Sequence, residues 1–170
     1  MAAFLAQRCL SGGQRLDPAL AEAAALLHDV DKALPHDHRL LRLGHGGAGA
    51  AWLAEQGHGE LSAAVAGHPA TLLADDDRYA AWTAVASLEE RLVAYADKRA
   101  MQDLVSLDER YAAWHERYPE ARPDIERGLA RARLLEQEVC AAAGVKPAEV
   151  RRIAWVEAAL RSVAPAAAQA

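Results

Sequence analysis

The chain has 170 residues, of which 52% are hydrophobic and only 5% aromatic. This length is enough for one domain with a substantial core and too short for two ordinary domains. Acidic residues outnumber basic ones by 24 to 19, giving a net charge of −5, which argues against an extended nucleic-acid-binding face. A local basic pocket for one phosphate is compatible with this balance.

The sequence predicts an all-α fold, because alanine and leucine dominate it and no strand-like alternation is present. Helical patterns occupy residues 2–10, 17–29, 47–57, 59–67, 87–97, 123–143 and a segment from 147 onward. Asp17-Pro18 is typical of a helix start, with a capping carboxylate before a proline. Ser87 and Glu90 form a capping box. Residues 30–44 are predicted to be a polar connection.

Several other residues are interpreted as structural. Cys9 and Cys140 have no metal-type spacing and give no disulfide framework, so we expect both to be small buried residues. Trp82 and Trp114 are expected in the core. The acidic run at 75–77 is expected to be a loop or a helix cap.

Targeting signals are not evident in the sequence. No apolar run reaches the length that spans a bilayer. The first eight residues lack the basic-then-apolar layout of a secretory signal. We therefore expect a cytoplasmic protein that does not interact with membranes.

The dipeptide His28-Asp29 is the most informative feature of the chain. It ends the apolar helix that includes residues 23–27, and Lys32 follows three residues after Asp29. Adjacent helical residues point about 100° apart and rarely serve the same core contact. At a helix end, however, an imidazole and a carboxylate can both reach one cation.

Three further residues sit in similar settings. His45 precedes a glycine-rich run, His68 precedes Pro69 at the end of a predicted helix, and Asp97 follows an apolar helix. Taken singly, a histidine near a helix end is more often a cap or a surface group, and Asp97 could pair with the neighbouring Lys98. Nitrogen and carboxylate ligands suit transition metals better than calcium.

Together these motifs resemble the HD-domain superfamily, helical metal-dependent phosphohydrolases named for the dipeptide. The resemblance covers roughly residues 2–110. It implies a single HD-domain helical bundle with a C-terminal helical extension. The expected divisions are residues 1–118 for the bundle, 119–163 for helices that pack on it or on a partner subunit in a homodimer, and 164–170 for a frayed tail.

The resemblance also implies the metal ligands. His28, Asp29 and Asp97, with one earlier histidine, would hold a first ion. In two-metal members Asp29 would bridge the ions, and His45 and His68 would hold the second. The expected cofactors are one or two divalent ions among Mn, Fe, Co, Ni and Zn, with Mg also compatible.

Lys32 corresponds to the family's lysine after the dipeptide, which assists the phosphate or orients the aspartate. Asp29 and Lys32 are therefore the expected catalytic residues. Two departures from the family pattern stand out. Residues 1–27 contain no histidine, so we expect the first ligand upstream of Met1, the alternative being its true loss. Asp31 stands where glycine is common and is expected to pair with Lys32.

The resemblance implies hydrolysis of a phosphomonoester or phosphodiester, with a small phosphorylated molecule such as a nucleotide as substrate. Arg78 and Arg99 could contact a phosphate, although arginines are more often solvated. Two alternatives stay open. One is a non-catalytic HD-fold module that has lost a ligand, and the other is a di-iron oxygenase with the same ligand layout.

Overall fold

The computed structural model of the protein describes residues 1–150. The predicted apolar positions Ile153, Trp155, Val156 and Leu160, and the predicted tail 164–170, lie outside the described residues. Within residues 1–150 the fold is helical and has no β-strand, apart from one isolated bridge between Ala100 and Leu104. This confirms the all-α prediction. No helix in this part of the chain is both long and apolar enough to cross a membrane.

The helices follow one another through short connections. Their bounds are α1 Ala2–Ser11, α2 Pro18–Leu27, α3 Gly47–Glu55, α4 Ser62–Ala66, α5 Ala70–Ala74, α6 Asp76–Val85, α7 Leu88–Arg99, α8 Leu107–Arg117, α9 Arg122–Ala143 and α10 Pro147–Val150. Short 3-10 turns lie at Val30–Ala33, Arg39–Leu43, Gly59–Leu61 and Pro119–Ala121.

The helix starts that the sequence predicts have the expected hydrogen bonds. The Asp17 side chain accepts from the backbone N–H groups of Ala19 and Leu20, and Pro18 is the first residue of α2. Both bonds of the capping box at Ser87 and Glu90 are present. The acidic run at 75–77 is a cap, because the Asp75 carboxylate accepts from the N–H of Arg78 at the start of α6.

The structure differs from the sequence-based expectation in two places. The polar connection at 30–44 contains two 3-10 turns. The helix expected over 59–67 begins as a 3-10 turn, so α4 itself covers only Ser62–Ala66. Helices α5, α6 and α8 are absent from the predicted set, although Leu107, Tyr111 and Trp114 of α8 recur at helical spacing. In α6, Trp82 is the only buried residue.

Helix α7 lies at the centre of the fold. Its Leu92 and Tyr95 belong to a core cluster that includes buried residues of α1 and α9. Its Val93 belongs to a second cluster with buried residues of α2, α3 and α4. Because α7 is packed on both sides, the position of its last turn, which carries Asp97, is determined by the core.

Helix α9 packs against α1, α5, α7 and α8. The part of the predicted C-terminal extension that forms α9, residues 122–143, therefore lies on the helical core of the same chain. Cys140 of α9 and Cys9 of α1 are buried in this core and unpaired, as the sequence predicts. The division at residue 118 itself stays a prediction.

A buried polar network joins α7 to α9. The Arg99 side chain is 2% exposed, and its Nη1 donates to the Tyr95 hydroxyl and, over 2.7 Å, to Glu136 Oε1. The Tyr95 hydroxyl donates to the same carboxylate oxygen over 2.7 Å. Arg99 is therefore neither solvated nor available to a phosphate, contrary to the role that its sequence position allows.

We predict that Arg99→Met lowers the free energy of unfolding by about 3 kcal/mol, because it leaves Glu136 with an uncompensated charge in the interior. Arg122→Met is the matched control, since Arg122 forms an exposed pair with Glu126 within α9. Its loss should cost less than about 1 kcal/mol. Urea unfolding curves of both variants measure the difference, and equal costs would contradict the structural role of Arg99.

Candidate metal centre

The five side chains that the sequence selects as candidate ligands lie together in the structure. His28 follows the last residue of α2 and Asp29 comes next in the chain. His45 lies shortly before α3, His68 follows α4, and Asp97 belongs to the last turn of α7. Four separate segments of the chain therefore converge on one point. Their spacing along the sequence alone does not show that they are close in space.

Asp29 lies in the middle of this group. Its Oδ2 is 3.4 Å from His28 Nε2 and 2.7 Å from Lys32 Nζ. Its Oδ1 is 3.3 Å from His45 Nε2 and 3.7 Å from His68 Nε2. The two carboxylate oxygens thus face two different sets of groups, as a bridging ligand requires.

All three histidines are oriented by their other ring nitrogen. Nδ1 lies 2.8 Å from the Ala25 carbonyl oxygen in His28 and 2.6 Å from the Val65 carbonyl oxygen in His68. In His45 it lies 2.8 Å from a carboxylate oxygen of Asp31. Carbonyl and carboxylate oxygens only accept hydrogen bonds, so each Nδ1 carries the proton. This is the arrangement in which metal-binding histidines are held, with Nε2 left as the donor atom.

His45 and His68 bring the same ring nitrogen to one place. Burial, followed by the nearby charge of Lys98, lowers the pKa of His68 to about 4, so its ring is neutral at pH 7 and its Nε2 has a lone pair. That atom lies 3.0 Å from His45 Nε2. Two ring nitrogens this close together are placed to share one metal ion.

His28 faces two carboxylates with the same nitrogen. Its Nε2 lies 3.4 Å from Asp29 and 3.5 Å from Asp97 Oδ1. The hydrogen bond to Asp97 is the main reason why the pKa of His28 is raised, although burial opposes it. Two anionic oxygens and one nitrogen therefore surround a position that a divalent ion would fill well.

The HD domain family model matches residues 1–102 of the chain. The chain belongs to the HD domain family. Members of this family are mostly metal-dependent hydrolases, and HD domains bind divalent metals. Comparison with curated proteins and with solved structures gave no significant match.

Asp31 is the one clear correction to the expected interactions of this HD site. It is buried and contacts His45, whereas Lys32 pairs with Asp29. The reason is the 3-10 turn at Val30–Ala33, which turns the Lys32 side chain back towards Asp29, three residues earlier. Asp31 therefore supports a candidate ligand, and Lys32 orients the candidate bridging carboxylate.

Lys98 holds two parts of the HD centre in place, a role that the sequence did not indicate. Its side chain is fully buried, and its Nζ donates to Asp97 Oδ2 over 2.9 Å and to the His68 carbonyl oxygen. Burial would raise the pKa of Asp97, but the charge of Lys98 and the hydrogen bond with His28 outweigh it and hold this pKa far below its usual range. The sequence signal that could have indicated this role is a lysine directly beside a candidate ligand, on a helix that is buried on both sides.

We predict that Lys98→Met lowers the free energy of unfolding by roughly 3 kcal/mol, because Asp97 would keep a buried charge without its partner. Asp97→Asn in the same chain should recover part of this loss. A double-mutant cycle from chemical unfolding measures the coupling. Additive effects of the two substitutions would show that the pair does not act as a unit.

Gly46 brings two of the candidate ligands together. Its φ of +78° is unfavourable for a residue with a side chain, and a Cβ there would lie only 2.6 Å from Pro69 Cγ. Gly46 follows His45 and Pro69 follows His68. The close approach of glycine to proline thus allows the two imidazoles to meet.

We expect Gly46→Ala to destabilise the fold by about 2 kcal/mol or more, from backbone strain of order 1–3 kcal/mol plus the clash with Pro69. It should also weaken metal binding. Gly57→Ala is the matched control, because Gly57 has a φ of +89° but nothing within 4 Å of its Cβ position. Thermal unfolding and metal titration of the two variants separate the effects, and equal metal affinities would count against the role of the contact.

An open cleft of about 1070 Å³ extends from the centre. Asp29, Lys32, His45 and Asp97 lie at one end of it, and its other walls come from the α5–α6 region, α8 and the first part of α9. Trp82 is buried, as the sequence predicts, but Trp114 is only partly buried and lines the cleft. The sequence placed Trp114 in the core because an aromatic residue at helical spacing gives no sign of which side faces a cavity.

Proposed function

We propose that the protein is a metal-dependent phosphohydrolase that acts on a phosphomonoester or phosphodiester of a small molecule, such as a nucleotide or a related metabolite. The observation that supports this most strongly is the convergence of three histidine Nε2 atoms and two carboxylates beside an open cleft. When bound there, divalent ions would activate a water and neutralise phosphate oxygens.

In this proposal the ligands divide at Asp29. His28, Asp29 Oδ2 and Asp97 Oδ1 would hold one ion, since His28 Nε2 lies within 3.5 Å of both carboxylates. Asp29 Oδ1, His45 and His68 would hold the other, since their atoms lie 3.0–3.7 Å apart. The first ion would have three ligands from the described residues, and an additional histidine upstream stays a prediction.

The surrounding residues would hold the candidate ligands in the orientation that metal binding requires. Asp31 orients His45 through its Nδ1, and Lys98 fixes both Asp97 and the backbone of His68. Lys32 lines the cleft with a mostly exposed side chain while it contacts Asp29 Oδ2. It can therefore hold the carboxylate before substrate binds and provide a positive charge to the phosphate afterwards.

Two cationic side chains in the cleft favour a phosphoester over the oxygenase alternative. Lys32 and Arg78 both line the cavity, and Arg78 has no carboxylate partner within residues 1–150. A substrate of an oxygenase does not need such groups, whereas a phosphate does. The approach of His45 Nε2 and His68 Nε2 to each other and to Asp29 favours a metal-binding protein over a module that has lost its metal.

We predict that Asp29→Ala removes bound metal and lowers metal affinity at least about 100-fold, because Asp29 is the ligand shared by both positions. The Asp29 side chain is 39% exposed, so helical content should not change. Metal content by mass spectrometry and far-UV circular dichroism measure the two effects. Asp77→Ala is the control, as Asp77 lines the same cleft away from the centre.

Normal metal stoichiometry in Asp29→Ala would refute the two-metal assignment. A screen of phosphomonoesters and phosphodiesters with Mn, Co, Ni or Mg tests the activity itself. Hydrolysis of at least one class is the expected result. Tight metal binding without any hydrolysis, or an oxygen-dependent product with iron, would instead support one of the two alternatives.

A further inference from the structure

The wall of the cleft formed by α8 has a chemistry that the metal centre does not explain. Arg110, Tyr111, Trp114, Arg117 and Tyr118 line the cavity, and their spacing of three, four and seven residues places them on one side of the helix. We call this set the α8 wall. It lies beyond residues 1–102, the part of the chain that matches the HD domain family.

Both arginines of the α8 wall stack on an aromatic ring. The Arg110 guanidinium carbon lies 4.7 Å from the centre of the Trp114 ring, and that of Arg117 lies 5.3 Å from the centre of the Tyr118 ring. Stacking occupies the face of a guanidinium and leaves the N–H groups at its edge free to bind an anion in two-point fashion. The rings therefore orient the two cationic groups without neutralising them.

These arginines differ from most others in the described part of the chain. Arg39, Arg91, Arg99, Arg122, Arg127, Arg131 and Arg133 each form an ion pair with a carboxylate. Within residues 1–150, Arg110 and Arg117 form none. Two positive charges that line a cavity and have no acidic partner are suited to an anionic ligand.

Two buried polar groups of the α8 wall also lack a partner within residues 1–150. Arg110 Nε and the Tyr111 hydroxyl are both inaccessible and make no hydrogen bond there, although Tyr111 is 2% exposed and contributes to the cleft surface. Leaving a buried polar group unsatisfied is costly. Both groups can donate a hydrogen bond, so an acceptor oxygen of a ligand would satisfy them once the Arg110 and Tyr111 side chains turn towards the cleft.

Two of the carboxylates that line the cleft are paired with arginines of α9. Asp76 pairs with Arg131 and Arg127, and Asp124 also pairs with Arg127. Asp75 accepts only the backbone N–H of Arg78 and keeps its charge, and Asp77 also lines the cleft. The attraction of an anion to the α8 wall therefore depends on Arg110 and Arg117 themselves.

We propose that the α8 wall is a second anion-binding subsite, which binds a phosphate of the substrate other than the one that is cleaved. Arg110 and Arg117 are about 10 Å apart along the helix axis, at 1.5 Å per residue, so the α8 wall extends along the cleft. With one phosphate at the metal centre and another on the α8 wall, the substrate class is a small molecule with at least two phosphate groups. This inference rests on the proposed function for its account of which phosphate is cleaved.

Binding of inorganic phosphate to the metal-free protein tests the subsite without the centre. The probe is the set of arginine Nε–H signals in the NMR spectrum of protein labelled with ¹⁵N-arginine, kept in a chelator. We expect the signals of Arg110 and Arg117 to shift in a saturable way, whereas that of Arg15 should not. Arg15 is exposed and does not line the cleft.

Arg110→Gln and Arg117→Gln should each weaken phosphate binding about tenfold, as expected for loss of charged hydrogen bonds. Arg15→Gln removes the same charge elsewhere and should have no effect. Arg110→Lys keeps the charge without the planar edge and should recover only part of the affinity. Circular dichroism checks that all four variants are folded.

The metal-loaded enzyme gives a second readout. With a sugar monophosphate and the bisphosphate of the same sugar as substrates, Arg110→Gln and Arg117→Gln should raise KM about tenfold for the bisphosphate alone. Absent phosphate-induced shifts in the wild-type protein, or variants indistinguishable from Arg15→Gln, would overturn the subsite. Saturable binding at the α8 wall without hydrolysis of any phosphoester would refute the proposed function and leave the subsite standing.

Discussion

The centre depends on the way in which three imidazole rings are fixed by their Nδ1 atoms. Two of these atoms bond backbone carbonyls three residues earlier in the chain, and the third bonds Asp31. Because each ring is held on its outer side, all three Nε2 atoms point inward at Asp29. The spacing of 3.0 Å between the Nε2 atoms of His45 and His68 follows from this constraint.

The same constraint links the centre to the stability of the fold. Helix α7 is packed on both sides, and consecutive residues at its end serve different purposes: Asp97 faces the centre, Lys98 is buried beneath it, and Arg99 ties α7 to Glu136 of α9. Two buried charges adjacent to a candidate ligand are expensive unless both are paired. Their pairing makes the end of α7 rigid, which allows Asp97 to hold a fixed position relative to His28.

Local sequence signals were enough to predict the helix caps, whereas the five ligand positions followed from the family resemblance, since each residue taken singly was a weak signal. The caps depend on bonds between near neighbours, such as Asp17 with Ala19. The pairing of Lys98 with Asp97 is also a neighbour contact that the sequence allows. The bond from Lys98 to the His68 backbone, 30 positions away, and the contact of Asp31 with His45, 14 positions away, are determined by tertiary packing. The expected Asp31–Lys32 pair was wrong because the 3-10 turn directs these neighbours to different sides.

The candidate metal centre and the α8 wall lie in different parts of the chain. The ligands, their supports and the glycine–proline contact all lie within the HD-matched residues 1–102, where packing against α7 leaves little freedom. The α8 wall lies outside that region and lines a cleft of about 1070 Å³, while its Tyr111 is buried in the core shared with α7 and α9. In the proposed function, the helix ends around α7 would carry the chemistry, and the arginines of the α8 wall would select the substrate.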